Sequence, residues 1–449
     1  MPSPAVAPSI PAERDFTALP LRRRVGWIVL LGALNAIGAF TIDLYLPAFP
    51  ALEADLGASA SRVQLTLTGT MAGLAVGQLV AGPLTDALGR RRPLLVGLGL
   101  HLVASLLCTV APSVGVLGLL RVLQGLGMAA ASVIALAVVR DRFEGRGAAR
   151  LIARLMLVIG AAPVFAPSVG SLLLGVTSWR GIFAVLAVLA LVLGIAVAFA
   201  LPETLPVERR RRASLRGSAA AYAALLHDRG LVALVVVAGL TMAALFGYVA
   251  GSSFVFQEQY GFTQLQFALA FAGGGVAIVA GSQTNGSLVH RFSSQGLLVF
   301  ALVAGTLTSA SLLVATTTGL LGLGGVLVPL YGTMFFIGLA QPNAPVLVLE
   351  RHGASAGTAA AVLGFSQFLI GSLAAPVSSL LGLSPAVGIG VVMTTGMGAA
   401  LVLFLTVARP ALRTPPPAPP SAQATGDLDL REQPAGAPVL TEQPHLVSD

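Results

Sequence analysis

Lysine is absent from this chain: all 26 basic residues are arginine. A GC-rich genome accounts for that bias, so it carries no functional weight. Cysteine occurs once, at Cys108 inside an apolar run, which excludes an intrachain disulfide and any cysteine-based metal cluster. Charge is scarce as well. Only 10% of the 449 residues are charged, 56% are hydrophobic, and mean hydropathy is +0.89. That composition excludes a soluble protein and points to a polytopic membrane protein. No grouping of His, Cys or carboxylates has metal or triad spacing, and His101, His227, His290, His352 and His445 are scattered. Neither enzymatic chemistry, a metal site nor a cofactor is therefore expected. The formal charge of +8 would favour nucleic acid if the arginines formed one aromatic-rich patch. They sit between apolar spans instead, so no nucleic-acid partner is expected. Residues 1–20 are Pro/Ala-rich and have no apolar core of the kind a signal peptide carries. The first span is then expected to act as the targeting signal.

Apolar runs long enough to cross a bilayer stand at about 25–47, 64–85, 93–111, 115–139, 150–174 and 178–201. After a polar break at 202–229 they resume at about 230–256, 264–289, 296–315, 319–341, 355–381 and 385–408. The arginines test that reading. With the N-terminus inside, the clusters at 22–24, 90–92, 140–150 and 209–216 all fall on the cytoplasmic side, while only Arg62 and Arg180 fall outside. Arg121 and Arg154 lie within spans. One helix more or fewer would put several arginines on the wrong side. The expectation is an all-α membrane protein with twelve transmembrane helices in two pseudo-symmetric six-helix bundles. Its parts are a disordered tail (1–21), an N-terminal bundle (22–201), a basic linker (202–229), a C-terminal bundle (230–408) and a second disordered tail (409–449), with both ends cytoplasmic. Weak internal echoes support two related halves: Gly82-Pro83-Leu84 with Gly286-Ser287-Leu288, and Ala166-Pro167 with Ala375-Pro376. Two such halves with a midplane site between them describe a secondary transporter.

Three places carry chemistry. The short link Gly82-Pro83-Leu84-Thr85-Asp86-Ala87-Leu88-Gly89-Arg90-Arg91-Arg92-Pro93 joins spans two and three. It is either a topological anchor or a clamp on neighbouring helix ends that holds one conformation and releases another. Asp43 and Arg121 lie inside spans one and four, where a charge costs at least ~2.5–3.5 kcal/mol and needs a cavity or a partner. At 1.5 Å per residue Asp43 is about 6 Å and Arg121 about 12 Å from the outer end of its span, close enough in depth to interact. Asp43 is read as the carrier of a driving proton and Arg121 as the group that tunes it; an interfacial aspartate and a structural ion pair are the alternatives. Span five holds Pro163 and Pro167 four apart, with Gly170 beyond, a pattern for a bent, close-packed helix that serves as hinge or seal. In the second half, amides and aromatics stand in for charge. The candidate pocket residues Tyr45, Gln124, Tyr248, Phe254, Gln341, Asn343 and Gln367 suit a small lipophilic ligand.

The link with Gly82, Asp86, Gly89, Arg90 and Arg91 resembles the loop 2–3 signature of the major facilitator superfamily, and Arg121…Gln124-Gly125…Gly127 resembles its span-four motif. Span five resembles the antiporter motif of proton-coupled drug exporters, with Ala166 and Ser171 where glycines are usual. Together with Ile42-Asp43-Leu44-Tyr45-Leu46-Pro47, Ser178-Trp179-Arg180 and Leu201-Pro202-Glu203-Thr204-Leu205, these stretches are similar to the Bcr/CflA drug-resistance subfamily over about residues 25–408. The resemblance implies export of bicyclomycin- or phenicol-like antibiotics in exchange for protons, by a monomer in the bacterial inner membrane. It also implies that Asp86 sits against the start of span eleven near Ser355 and Gly357, and that Arg90 pairs with Asp141. An uptake symporter, or an exporter of an endogenous metabolite, is the alternative on the same fold.

Overall fold

The computed structural model describes Phe16 and residues 19–210, 215–352, 355–380 and 382–413. Most of both expected tails, Arg14 and Arg431 among them, and Arg211 and Arg212 of the linker lie outside the described residues. Among the described residues twelve helices are long and apolar enough to cross a membrane: α1 (Leu21–Leu56), α2 (Ala60–Leu88), α3 (Arg91–Thr109), α4 (Val114–Arg142), α5 (Gly145–Leu174), α6 (Trp179–Ala200), α7 (Arg229–Gln259), α8 (Gln264–Leu288), α9 (Ser294–Thr318), α10 (Gly322–Arg351), α11 (Ala356–Val377) and α12 (Pro385–Ala411). A linker helix, Leu215–Leu226, joins the halves. The protein is thus an all-α, multi-pass membrane protein.

Helix starts follow local chemistry. Ser113 accepts the Val116 N–H at the start of α4, and Thr263 and Gln266 form a capping box at the start of α8. Asp228 accepts the Gly230 N–H at 2.8 Å and opens α7. Several helices outrun the apolar stretches, because Arg140, Arg142, Arg351 and Arg409 continue the helix past its greasy part.

In the N-terminal half α4 packs on α1, α2 and α3, while α1 also packs on α5 and α3 on α6. In the C-terminal half α7 packs on α11 and α12, α10 on α8 and α9, and α9 on α12. Two seams join these bundles, α2 against α11 and α5 against α8. Large apolar side chains such as Leu119, Val176, Phe199 and Val328 face outward, as a lipid-facing surface requires.

Among the described residues three helices break inside their spans, one of them, α11, at Leu373. The regular part of α1 stops at Asp43, and Leu46–Ala48 form a 3-10 turn before the helix resumes. Pro47 is the cause: it has no N–H to give the Asp43 carbonyl. The break lengthens α1 well beyond the expected end at 47, so Asp43 lies deeper in the chain's path than the 6 Å reading allowed. Helix α10 breaks at Gln341-Pro342. Helix α5, by contrast, stays helical through Pro163 and Pro167.

Candidate functional site

Asp43 is 5% exposed, at the break in α1. Its carboxylate makes no hydrogen bond or ion pair among the described residues, yet it is within electrostatic reach of Arg121 and of Tyr248 on α7. It therefore stands where the N-terminal bundle faces the C-terminal one.

Arg121 is wholly buried on α4. Its Nη2 donates to the Thr41 carbonyl at 2.9 Å and its Nη1 to Gln124 Oε1 at 2.6 Å, while Nε has no partner. The guanidinium lies 4.1 Å from the Tyr45 ring centroid and 5.6 Å from that of Phe183. Stacking of this kind is worth about 2 kcal/mol when desolvated. Arg121 thus grips the chain on both sides of Asp43, at Thr41 by a hydrogen bond and at Tyr45 by its ring. The Arg121 Nε–H and both Asp43 carboxylate oxygens are left unpaired in the same region.

Three further residues, which spacing alone did not single out, complete the surroundings. Thr41 Oγ1 lies 2.9 Å from His101 Nε2, Ser105 Oγ lies 3.3 Å from His101 Nδ1, and Gln124 Nε2 donates to Ser105 Oγ at 2.7 Å. The signal was present: His101 and Ser105 are one helical turn apart on α3, as are Arg121 and Gln124 on α4.

Gly170 on α5 lies against the same break. A Cβ there would sit 1.9 Å from the Leu44 carbonyl oxygen, so only glycine lets α5 touch the backbone beside Asp43. Higher on α5, Val164 packs where a Cβ at Gly275 of α8 would be, which puts the two-proline segment on a seam between bundles.

The charged link is a second cluster. Gly89 has φ +88°, and a Cβ on it would lie 2.3 Å from Glu203 Oε2. Glu203, on the strap after α6, accepts the N–H of Arg90 at 2.8 Å and of Arg91 at 3.3 Å, and so caps α3. Arg90 Nε donates to Asp141 at 2.9 Å; its Nη1 donates to Asp86 at 2.6 Å and to Thr85 at 3.1 Å. Thr204 adds a 3.0 Å bond to Asp141, and Arg91 reaches the Ala198 carbonyl. Burial alone would raise the Glu203 carboxyl, but the N–H groups of Arg90, Leu205 and Arg91 and the Arg210 charge hold it below the usual range. The cluster lies within the N-terminal bundle and its strap. Asp86 differs from what the resemblance implies. Its carboxylate, 48% exposed, bonds Arg90 and is within electrostatic reach of Tyr222 on the linker helix, with no hydrogen bond to Ser355 or Gly357 among the described residues.

The C-terminal bundle has a cluster of its own at the same end. Asp228 accepts from Arg351 Nε at 2.5 Å and Nη2 at 3.1 Å, and lies 2.8 Å from His352 Nε2. Burial would raise its carboxyl; the bonds from Arg351, His352 and the Gly230 N–H hold it below the ordinary range.

The candidate pocket residues divide into four sets. Tyr45 and Gln124 are buried inside the Arg121 network, and Tyr45 OH lies 3.2 Å from Thr66 Oγ1. Phe254 packs its ring 5.7 Å from Phe49, next to a bond from Gln257 Nε2 to the Pro47 carbonyl (3.2 Å) that crosses between bundles. Asn343 bonds Asn285 at 2.9 Å, and Tyr248 stacks on Phe271, with ring centroids 5.1 Å apart, inside the C-terminal bundle. Gln341 and Gln367 are half-buried. Met71 of α2, Met242 and Phe246 of α7 and Gly371 of α11 meet on the α2–α11 seam, with Phe368 beside Phe246.

Residues 29–376 match the family profile described as the Major Facilitator Superfamily. The chain belongs to the Major Facilitator Superfamily. Among its members the chain is similar to an uncharacterized MFS-type transporter, YdgK, of Bacillus subtilis, with 36% identity over 86% of this chain and 93% of the relative. It is also similar to a bicyclomycin resistance protein homolog of Haemophilus influenzae (31%, over 77% and 87%) and to the multidrug resistance protein MdtL of Klebsiella pneumoniae (28%, over 82% and 92%). Solved superfamily structures share the fold. The nucleoside transporter NupG superposes with a TM-score of 0.69 at 13% identity over 86% of this chain and 99% of that one. The xylose transporter XylE of E. coli, partially occluded and inward open, superposes with a TM-score of 0.67 at 15% identity over 85% and 97%. The protein is accordingly a superfamily transporter for small substrates, not an enzyme, and its drug-efflux subfamily is that of the resistance proteins.

Proposed function

We propose that this transporter exports small lipophilic drugs, bicyclomycin- or phenicol-like, across the inner membrane in exchange for protons. The observation that carries the reading is the Asp43 carboxylate, buried at a helix break between the bundles with no hydrogen-bond partner, beside a buried guanidinium whose Nε–H is unpaired. A proton on Asp43 removes its charge; loss of that proton restores an anion that Arg121 can pair with. Each state favours a different packing of the broken α1 against α7. A few kcal/mol of such preference is enough to move a two-state equilibrium from one side to the other. The printed names of two relatives support a drug as cargo. So do the methionines and phenylalanines of the α2–α11 seam, since flexible, polarizable side chains repack around varied apolar ligands.

Alternating access has a frame here. Bonds between bundles from Gln257 to Pro47 and from Thr68 to Ser372 (3.0 Å) lie towards the end away from the arginine clusters. With the arginine clusters on the cytoplasmic side, these bonds tie the bundles at the outer end, while Arg90 holds both Asp86 and Asp141 at the inner end. In the outward-facing state Asp86 would move onto the start of α11. Gly82 and Gly89, with Arg91, let the link follow. The transporter works as a monomer, each chain having both bundles. The test is susceptibility of an efflux-deficient bacterial host to a compound panel, with accumulation in inside-out vesicles under an imposed pH gradient. Resistance together with gradient-driven accumulation is expected; uptake in the opposite sense would make it a symporter.

A further inference from the structure

The ring of hydrogen bonds around Arg121 contains more than the proton chemistry needs, and its members can be assigned by counting protons. Thr41 Oγ1 donates its one proton to the Ile37 carbonyl at 2.6 Å, so it can only accept from His101. His101 Nε2 therefore bears a hydrogen. Ser105 Oγ accepts from Gln124, and its own proton is divided between the His101 carbonyl at 2.7 Å and the ring Nδ1 at 3.3 Å. Gln124 Oε1 accepts from Arg121, which returns to the Thr41 backbone. The circuit closes through α1, α3 and α4, and all five residues are fully buried. The charged or titratable groups around His101 are Arg121 on α4, Asp43 two residues from Thr41 on α1, and Cys108 on α3 itself; the span of α6 presents none beyond Arg180 at its start.

We infer that His101 is a positioning residue. Through Thr41 on one side and Ser105–Gln124 on the other, it fixes the place of the Arg121 guanidinium relative to Asp43 and carries no transported proton itself. This inference rests on the proton-coupled reading above. A ring that donates on one edge and accepts on the other joins two helices to Arg121 without adding a second formal charge. Glutamine has the same pair of functions, with an N–H₂ and a carbonyl; phenylalanine has the shape and neither function.

The experiment has two arms. In proteoliposomes under an imposed pH gradient, His101→Gln is expected to stay within about threefold of wild type, while His101→Phe loses about tenfold or more in turnover, with KM for drug changed less than threefold and the pH profile displaced. His101→Phe with wild-type turnover and profile overturns the inference. So does His101→Gln as inactive as Asp43→Asn, which would make the ring a carrier. The second arm needs no transport: 15N NMR of histidine-labelled wild type, with the His101 signal identified by its loss in His101→Gln. A protonated Nε2 is expected, and a bare Nε2 overturns the assignment. A wild type without proton-linked exchange defeats the functional reading, while the NMR arm still judges the ring. The glutamine variant keeps the transport arm decisive if the phenylalanine variant does not fold.

Discussion

The two bundles solve the same crossing differently. Where α9 meets α10 in the C-terminal bundle, Thr333 Oγ1 lies 2.8 Å from the Pro329 carbonyl and 3.1 Å from Thr308 Oγ1, its one proton divided between them, and two hydroxyls suffice. Where α3 meets α4 in the N-terminal bundle, Ser105 and Gln124 make the corresponding bond, but His101 and Arg121 are added on either side. A threonine pair is cheap to bury, since each hydroxyl finds a backbone or hydroxyl partner within its own turn. A buried guanidinium is not cheap. The C-terminal crossing demonstrates that packing in this fold does not require the charge. On the proposed function, the charge in the N-terminal half serves the Asp43 carboxylate next to it.

That contrast can be broken in graded steps. The largest effect is expected from Asp43→Asn: gradient-driven drug transport should fall about 100-fold or more, with the protein still folded by size-exclusion chromatography. Next comes a break in the C-terminal clamp. Arg351→Met leaves Asp228 buried without its main partner, and loss of one member of such a pair costs about 3–5 kcal/mol, to be read as a lower unfolding midpoint. Gly170→Val sets side-chain atoms against the Leu44 carbonyl, and overpacking of this kind costs about 1–3 kcal/mol; because it pushes on the backbone beside Asp43, transport should fall further than stability. Asn343→Ala removes one bond of the Asn285 pair, a loss of about 1–2 kcal/mol, and should leave the pH profile of transport unchanged.

The smallest effect concerns pH. Glu203 and Asp228 both have depressed carboxyl pKa values, so the stability each contributes is present above the unfolded pKa of about 4 and is lost as pH falls through the lower folded value. Thermal stability from these two clusters should therefore be flat between about pH 5 and 8 and decline only below about 4. A pH dependence of transport near neutrality then has to come from another group, which sharpens the assignment to Asp43.

The topology was legible because it rests on long-range regularities: apolar length and the sidedness of arginine. Asp43 and Arg121 were legible because a charge in a greasy run stands out by itself. The network that holds them was not. Thr41, His101 and Ser105 are ordinary polar residues, with Thr41 and His101 60 positions apart, and only the packing of α1 on α4 and α4 on α3 brings them together. Glu203 was quoted for its resemblance, yet its task of capping α3 depends on a strap returning from α6. Asp228 and Arg351 lie 123 positions apart, and only the packing of the C-terminal bundle pairs them. Asp86 shows the limit of analogy: the resemblance implies a place at the start of α11, and here its carboxylate bonds Arg90.

The most direct test separates cargo from proton. Drug counterflow, which needs no gradient, and drug accumulation driven by an imposed pH gradient can be measured side by side in proteoliposomes of Asp43→Asn. The account predicts that counterflow persists near the wild-type rate while gradient-driven accumulation is lost. Accumulation by Asp43→Asn at the wild-type level would contradict it.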